Sequence, residues 1–197
     1  GCNFNGYASD ITRTSASDKA PAEFKKILAD MEVMQKSLCE MPHLGMNMAD
    51  LHWESHMGLA KILIDNKILK GVDAEEAVKL GLTHDFYPHG IGHMLGVFVH
   101  DVAGRQINPQ GDSGEPDPRF PKLRSLKNFE VGHYFTIEPG LYFIEMLLDK
   151  RKESDHADKY NWTLINKLKP CGGIRIEDNI LMTENGPRNV TREYLSF

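Results

Sequence analysis

The 197-residue sequence has only three cysteines, Cys2, Cys39 and Cys171, far apart and odd in number. That scarcity excludes a disulfide framework and a thiolate-bound zinc module, and it suits a reducing compartment, so a cytoplasmic location is expected. No apolar run approaches the roughly 20 residues of a membrane span, and no membrane partner is expected. A long basic stripe is also missing, and the formal net charge is −5, so nucleic acid is not an expected partner. There is no Walker loop and no dinucleotide fingerprint; Gly90-Ile91-Gly92 is too short to be one. No internal repeat or low-complexity tract is visible. What remains is an ordinary balance of 41% hydrophobic and 26% charged residues, enough for one sizeable core or two small ones.

The first half reads as helical. Residues 3–14 suggest a hairpin or a bent strand with Gly6 at the bend. Asp18 is placed to cap a helix with Pro21 in its first turn, and Phe24, Ile27, Leu28, Met31, Met34 and Leu38 follow helical spacing up to Pro42. A second helix is expected over 48–64 with Asn47 as its cap and Leu51, Leu59, Ile62 and Leu63 on its buried face. A third, short one follows Asp73, with Glu76 completing a capping box and Gly81 as its stop. The second half is richer in glycine and in β-favouring runs, at 93–100, 134–144 and 172–183. Residues 103–122 read as one long ordered loop and 149–159 as a solvated charged insertion. Helices first and β-rich segments later imply an α+β domain, with helices covering one curved antiparallel sheet. The chain starts with Gly1 rather than Met, directly before a strand-like run, so a piece of a longer protein is expected.

The chemistry concentrates in four places. His89, His93 and His100 lie within twelve residues, interleaved with Gly90, Gly92 and Gly96 among apolar neighbours. Asp10, Glu138 and Glu177 each stand in an apolar or β-favouring context: Tyr-Ala-Ser-Asp10-Ile-Thr, Thr-Ile-Glu138-Pro-Gly and Gly-Gly-Ile-Arg175-Ile-Glu177-Asp. A carboxylate in such surroundings is costly to ionise alone, and a cation is the economical explanation. Read singly, Asp10 could cap a turn, Glu138 could be a solvated turn residue, and Glu177 could pair with Arg175. Together with His93 they make a set of three carboxylates and one imidazole, which favours Mn²⁺, Co²⁺ or Zn²⁺. Bridging carboxylates leave room for two metals, which can activate a shared water. His52 and His56, four residues apart on the second helix, have metal-binding spacing but no supporting motif, while His43, His84, His133 and His156 read as surface residues.

These motifs resemble the signatures of the metallopeptidases with the pita-bread fold, among them methionine aminopeptidase, aminopeptidase P and prolidase. Gly-Tyr-Ala-Ser-Asp10-Ile-Thr-Arg-Thr and Leu-Lys-Pro-Cys-Gly-Gly-Ile-Arg-Ile-Glu177-Asp-Asn are most similar to the branch of bacterial Xaa-Pro dipeptidases and organophosphorus acid anhydrolases. The resemblance implies two divalent metals, usually Mn²⁺, bridged by Asp10 and Glu177, with His93 and Glu138 on the second. It implies that Glu138 takes the proton of the attacking water, and that His89 and His100 hold substrate and stabilise the tetrahedral intermediate. Arg124 matches the arginine that grips the carboxylate of a dipeptide, and Arg175 would support the bridging glutamate.

The implied activity is hydrolysis of Xaa-Pro dipeptides, with organophosphate hydrolysis as a side activity. An aminopeptidase P-like enzyme and a pita-bread binding protein without chemistry are the alternatives. The family pattern also has an aspartate ahead of Asp10, in an Asp-x-Gly whose glycine matches Gly1. Residues 1–197 are thus expected to be a catalytic domain truncated at its N-terminus, without the N-terminal domain and the first metal-ligand strand. The parent is expected to be a homodimer, and this piece to bind one metal well and to have little activity alone.

Overall fold

Asn5 and Gly6 both take left-handed backbone angles, with φ of 50° and 88°, and this turns β1 (Asn3–Phe4) back onto β2 (Tyr7–Ala8). In the computed structural model, which describes every residue except Ala103, Pro109, Ser196 and Phe197, three helices follow this hairpin. α1 (Ala22–Glu40) buries Phe24, Ile27, Met31, Gln35 and Leu38. Leu28 and Met34 lie at the edge of that stripe. Asp18 does not cap the helix, contrary to expectation. Pro21 occupies the cap position with no side-chain bond, and the Asp18 carbonyl instead accepts from Lys25 Nζ at 3.0 Å. The fixed φ of proline starts the helix without a capping side chain.

α2 (Met48–Asp65) begins at Asn47 with a reciprocal capping box to Asp50 and buries Leu51, Leu59, Ile62 and Leu63 as its spacing predicts. α3 (Ala74–Lys79) starts where the Asp73 carboxylate accepts the Glu76 N–H, and it is stopped by Gly81 at φ 71°.

The β-rich half is one antiparallel arrangement with an interruption. β3 (Tyr134–Ile137) pairs with β6 (Asp178–Thr183), and β4 (Gly140–Tyr142) pairs with β5 (Gly173–Arg175). Both pairings keep the same register, since Ile137 faces Asp178 and Gly140 faces Arg175. The ladder breaks only at 138–139 against 176–177, where Pro139 has no N–H to give. β7 (Gly186–Asn189) extends β6 at one edge.

Two further segments flank the ladder without forming full strands. Residues 91–95 lie along β3 through Thr136 N to His93 O at 2.9 Å and Leu95 N to Tyr134 O at 3.0 Å. Residues 12–14 lie along β5 through Glu177 N to Thr12 O at 3.0 Å. The strand expected over 93–100 therefore stops at 95. Beyond it the chain bends outward and leaves Val97, Phe98 and Val99 exposed.

The helices cover this curved sheet with two apolar clusters. One gathers Phe24, Ile27, Leu63, Phe86, Leu141 and Ile174; the other gathers Leu38, Leu51, Ile91, Phe135, Ile137 and Ile180. The long loop over 103–122 is without helix or strand among its described residues. Residues 149–159 are exposed or half-buried, as a solvated run requires, but they carry one inward-facing ion pair. α4 (Glu145–Lys152) buries Leu148, and Arg151 pairs with Asp85 at 2.7 Å, an anion that Tyr160 also bonds. The mostly charged sequence concealed this one inward-facing pair. α5 (Trp162–Leu168) and α6 (Val190–Tyr194) complete the fold.

Candidate metal centre and active site

The break in the ladder is where the site forms. Its register sets Glu138 directly opposite Glu177 in the unbonded gap. Two carboxylates facing each other across strands repel. On one side, residues 91–95 bring in His93, whose Nε2 lies 3.5 Å from Glu138 Oε1 and 3.7 Å from Asp10 Oδ2. On the other side, residues 10–14 bring in Asp10. Ligand atoms of Asp10, His93 and Glu177 all lie within 4.8 Å of one another. Four neighbouring antiparallel segments thus give one residue each to a single face.

The local sequence explains the close approach. Gly92 lies so near β3 that a side-chain carbon there would overlap the Thr136 carbonyl oxygen. His93 is 2% exposed, and its Nδ1 sits 3.0 Å from the Met94 carbonyl. A ring nitrogen facing a carbonyl is the protonated one, which leaves the Nε2 lone pair turned toward the carboxylates. Thr12 Oγ1 donates to Glu177 Oε2 at 2.6 Å, while Glu177 Oε1 is buried without a hydrogen-bond partner among the described residues.

The electrostatics have one sign. Burial, and then the charge of Glu177, push the Glu138 carboxyl up to about 8. Burial followed by the nearby Asp10 charge raises Glu177 as well, while burial lowers His93. An acidic cluster with an orphaned oxygen and a neutral imidazole fits a divalent cation, which reverses this balance. Asp10, His93, Glu138 and Glu177 are the residues that would hold it, and the hard oxygen donors with one nitrogen suit Mn²⁺, Co²⁺ or Zn²⁺.

The remaining expected residues surround a cleft of about 510 Å³ that opens onto this face and is lined by His89, His93, His100, Arg124 and Glu138. His100 stands edge-on to His93 with ring centres 4.4 Å apart. Arg124 lies exposed at the rim, and its charge adds to burial in lowering His100. Arg175 Nη1 lies 3.5 Å from Glu138 Oε2. His89 Nδ1 is 2.8 Å from the Gly90 carbonyl, and its Nε2 is 2.9 Å from the Tyr142 hydroxyl.

Tyr142 was not singled out from the sequence. Its signal is the pair of glycines around it: a side-chain carbon at Gly140 or at Gly173 would strike the Tyr142 ring. Burial lifts the phenol to about 12, so it remains a donor to His89.

His52 and His56 are core residues, 2% and 0% exposed, packed edge-on at 4.6 Å. His84 is not a surface residue either. It lies half-buried 4.7 Å from the His56 ring and 5.5 Å from that of Phe120.

Residues 1–184 match the profile of metallopeptidase family M24. The chain belongs to that family. Curated Xaa-Pro dipeptidases of Marinobacter nauticus and Shewanella amazonensis are 44% and 42% identical to it over 193 residues, 98% of this chain. The chain spans 43% of the length of each of these relatives. Among solved structures, zinc-substituted aminopeptidase P of Escherichia coli in complex with product covers all of this chain with 38% of its own, at TM-score 0.72 and 27% identity. Proline aminopeptidase P II from Yersinia pestis does so at TM-score 0.73 and 26% identity. The family fold is the pita bread, in accord with the helix-covered antiparallel sheet described above. The chain is therefore a metallopeptidase-family domain with a site chemically fit for divalent metal. Among the described residues, no helix is long and apolar enough to cross a membrane, and all three cysteines are free.

Proposed function

We propose that residues 1–197 are the catalytic domain of an Xaa-Pro dipeptidase. The observation that carries this reading is the single face on which Asp10, His93, Glu138 and Glu177 meet beside a cleft whose rim is cationic. The 40–44% identity to Xaa-Pro dipeptidases supports the substrate class. When bound, divalent metals lower the pKa of water toward about 7 and stabilise negative charge on a tetrahedral centre. Two metals, Mn²⁺ foremost, are the proposed complement.

The chain's own residues do the rest. Arg124 holds the free carboxylate of the dipeptide, a task suited to a guanidinium fork. His89, fixed by Gly90 and Tyr142, lines the wall against which the proline ring lies. His100 donates to the oxygen that gains charge. Glu138 takes a proton from the attacking water and passes it toward the leaving nitrogen, and Arg175 keeps that carboxylate in place. A tertiary amide has no N–H, so a site that grips the ends of a dipeptide suits Xaa-Pro. The same tetrahedral geometry would accept a phosphotriester as a side substrate. The free cysteines suit a reducing cytoplasm.

Aminopeptidase P activity is the second reading, favoured by the structural neighbours. Arg124 supports the dipeptidase over it, because a longer peptide has no carboxylate at that position. The test is proline release from Gly-Pro and Leu-Pro by the Mn²⁺-loaded chain, beside a Gly-Pro-Ala tripeptide and a p-nitrophenyl phosphotriester. Dipeptide cleavage that falls on Arg124→Ala supports the reading. Faster cleavage of the tripeptide would replace it with the aminopeptidase. A chain that takes up no Mn²⁺ at all would remove both.

A further inference from the structure

We propose that Arg13 is a positioning residue for the metal centre: its guanidinium clamps the Asp10 segment to the Glu177 strand. The inference rests on the reading that Asp10 and Glu177 hold metal.

The difficulty the fold must solve is electrostatic. Asp10 and Glu177 approach closely, and their like charges push the two segments apart until a cation arrives. The backbone offers little resistance. Residues 12–14 form no regular strand, and one isolated bridge, Thr12 to Glu177, joins them to the ladder. Side chains supply what the backbone lacks. Thr14 Oγ1 donates to the Arg175 carbonyl and accepts the Arg175 N–H, each at 3.0 Å. Thr12 Oγ1 donates to the Glu177 carboxylate.

Arg13 spans both segments at once. Its Nη1 donates to the Thr12 carbonyl at 2.9 Å and to the Glu177 carbonyl at 2.7 Å, and its Nη2 pairs with Asp178. Three acceptors on two chain segments are thus held by one rigid planar group. A lysine ammonium keeps the charge but lacks that fork.

Asp178 is 0% exposed and is gripped from the opposite side as well. Asn189 Nδ2 donates to it at 2.8 Å, and Arg192 pairs with it while reaching Glu32 and Gln35 on α1. Two arginines therefore share one buried carboxylate, but of the two only Arg13 also bonds the backbone of Thr12 and of the ligand Glu177. This asymmetry separates a role in the site from a role in the fold. Arg13 preforms the site, so that a cation enters an assembled cluster rather than having to draw two repelling segments together. Partners of this kind typically alter metal affinity about ten- to a hundredfold when removed.

The experiment measures Mn²⁺ affinity by titration calorimetry on the metal-free 197-residue chain, with amide exchange of residues 8–14 and thermal unfolding in parallel. Arg13→Ala is expected to weaken Mn²⁺ binding by about ten- to a hundredfold. It should also speed exchange of residues 8–14 in the metal-free form and return it toward wild type at saturating Mn²⁺. Arg13→Lys, kept as the milder variant in case the alanine does not fold, is expected to weaken binding by at least about threefold. Arg192→Ala should lower the unfolding temperature comparably, yet leave Mn²⁺ affinity within about threefold of wild type. Equal affinity in wild type and both Arg13 variants overturns the proposal, as does an equal loss of affinity in Arg192→Ala. A wild-type chain that binds no Mn²⁺ rejects the metal-centre reading and the clamp with it. A wild type that binds beside Arg13 variants that bind equally rejects the clamp alone.

Discussion

His52 and His56 give the sharpest prediction. Their side chains are buried among Tyr87, Phe120 and each other, and burial holds both imidazoles neutral: His52 falls to about 3 and His56 lies lower still. In the unfolded chain both titrate near about 6.5. Above that pH both states carry neutral rings and the pair contributes nothing. Below it the unfolded state binds protons that the folded state refuses, so stability is lost as pH falls. At about pH 5 each locked ring costs about 2 kcal/mol, and the two together about 4. That is a large share of the roughly 5–15 kcal/mol of a typical domain.

Glu138 works in the opposite sense. Its raised carboxyl contributes stability at low pH that is lost as pH rises through about 8, so the wild-type profile is a sum of opposing slopes. Only the difference between variants isolates the histidines. His52→Phe, His56→Phe and the double variant should each be unfolded in urea, metal-free, at about pH 7.5, 6 and 5, with tryptophan fluorescence as the signal. Removing one histidine should flatten the stability slope between about pH 6 and 5 by somewhat over 1 kcal/mol per pH unit, and removing both by about twice that. Any fixed loss, such as the Thr83 hydroxyl deprived of its 2.8 Å bond to His56 Nδ1, shifts the curve without tilting it. Slopes equal to wild type in the double variant would refute the reasoning.

Four other outcomes are expected. Mn²⁺ at a hundredfold excess over its dissociation constant should raise unfolding free energy by about 2.7 kcal/mol, EDTA should reverse this, and Glu177→Gln should abolish it, as read by urea midpoints. Gly92→Ala places a carbon onto the Thr136 carbonyl and should cost about 2–3 kcal/mol, against an unchanged midpoint if residues 91–95 can move away. Tyr142→Phe removes the donor to His89 Nε2. His89 should protonate at a higher pH by imidazole ¹⁵N shifts, with a stability loss of about 1 kcal/mol. Asp85→Asn leaves Arg151 and Tyr160 without their half-buried anion and should cost about 2–4 kcal/mol, and a double-mutant cycle with Arg151→Ala should give a coupling above about 1 kcal/mol.

Two kinds of signal made much of this legible in the residues. Helical spacing gave α1 and α2, because their buried stripes are unbroken by polar residues apart from Gln35, Ser55 and the α2 histidines. Carboxylates among β-favouring apolar residues gave Asp10, Glu138 and Glu177. The register was not readable: nothing local states that Glu138 faces Glu177, since that follows from pairings more than thirty residues apart on either side of a proline break. His52, His56 and His84 were hidden for a different reason. An imidazole on a helix has the same spacing whether it faces solvent or a core, and only the aromatic rings of Tyr87 and Phe120 decide it. Arg13 stood in plain view beside Asp10, but its partners lie 164 and 165 residues away.

Tyr142 occupies space that Gly140 and Gly173 leave empty, and this couples three positions in their future variation. A side chain at Gly140 demands a smaller residue at 142, and one at Gly173 must clear the Leu141 carbonyl as well, yet a smaller residue at 142 releases His89. Substitutions at these three sites are therefore strongly epistatic: each is deleterious alone, and a library that varies them one at a time will report three invariant residues. Only joint variation of 140, 142 and 173 will reveal whether the glycines are required for the backbone or merely keep a place for one ring.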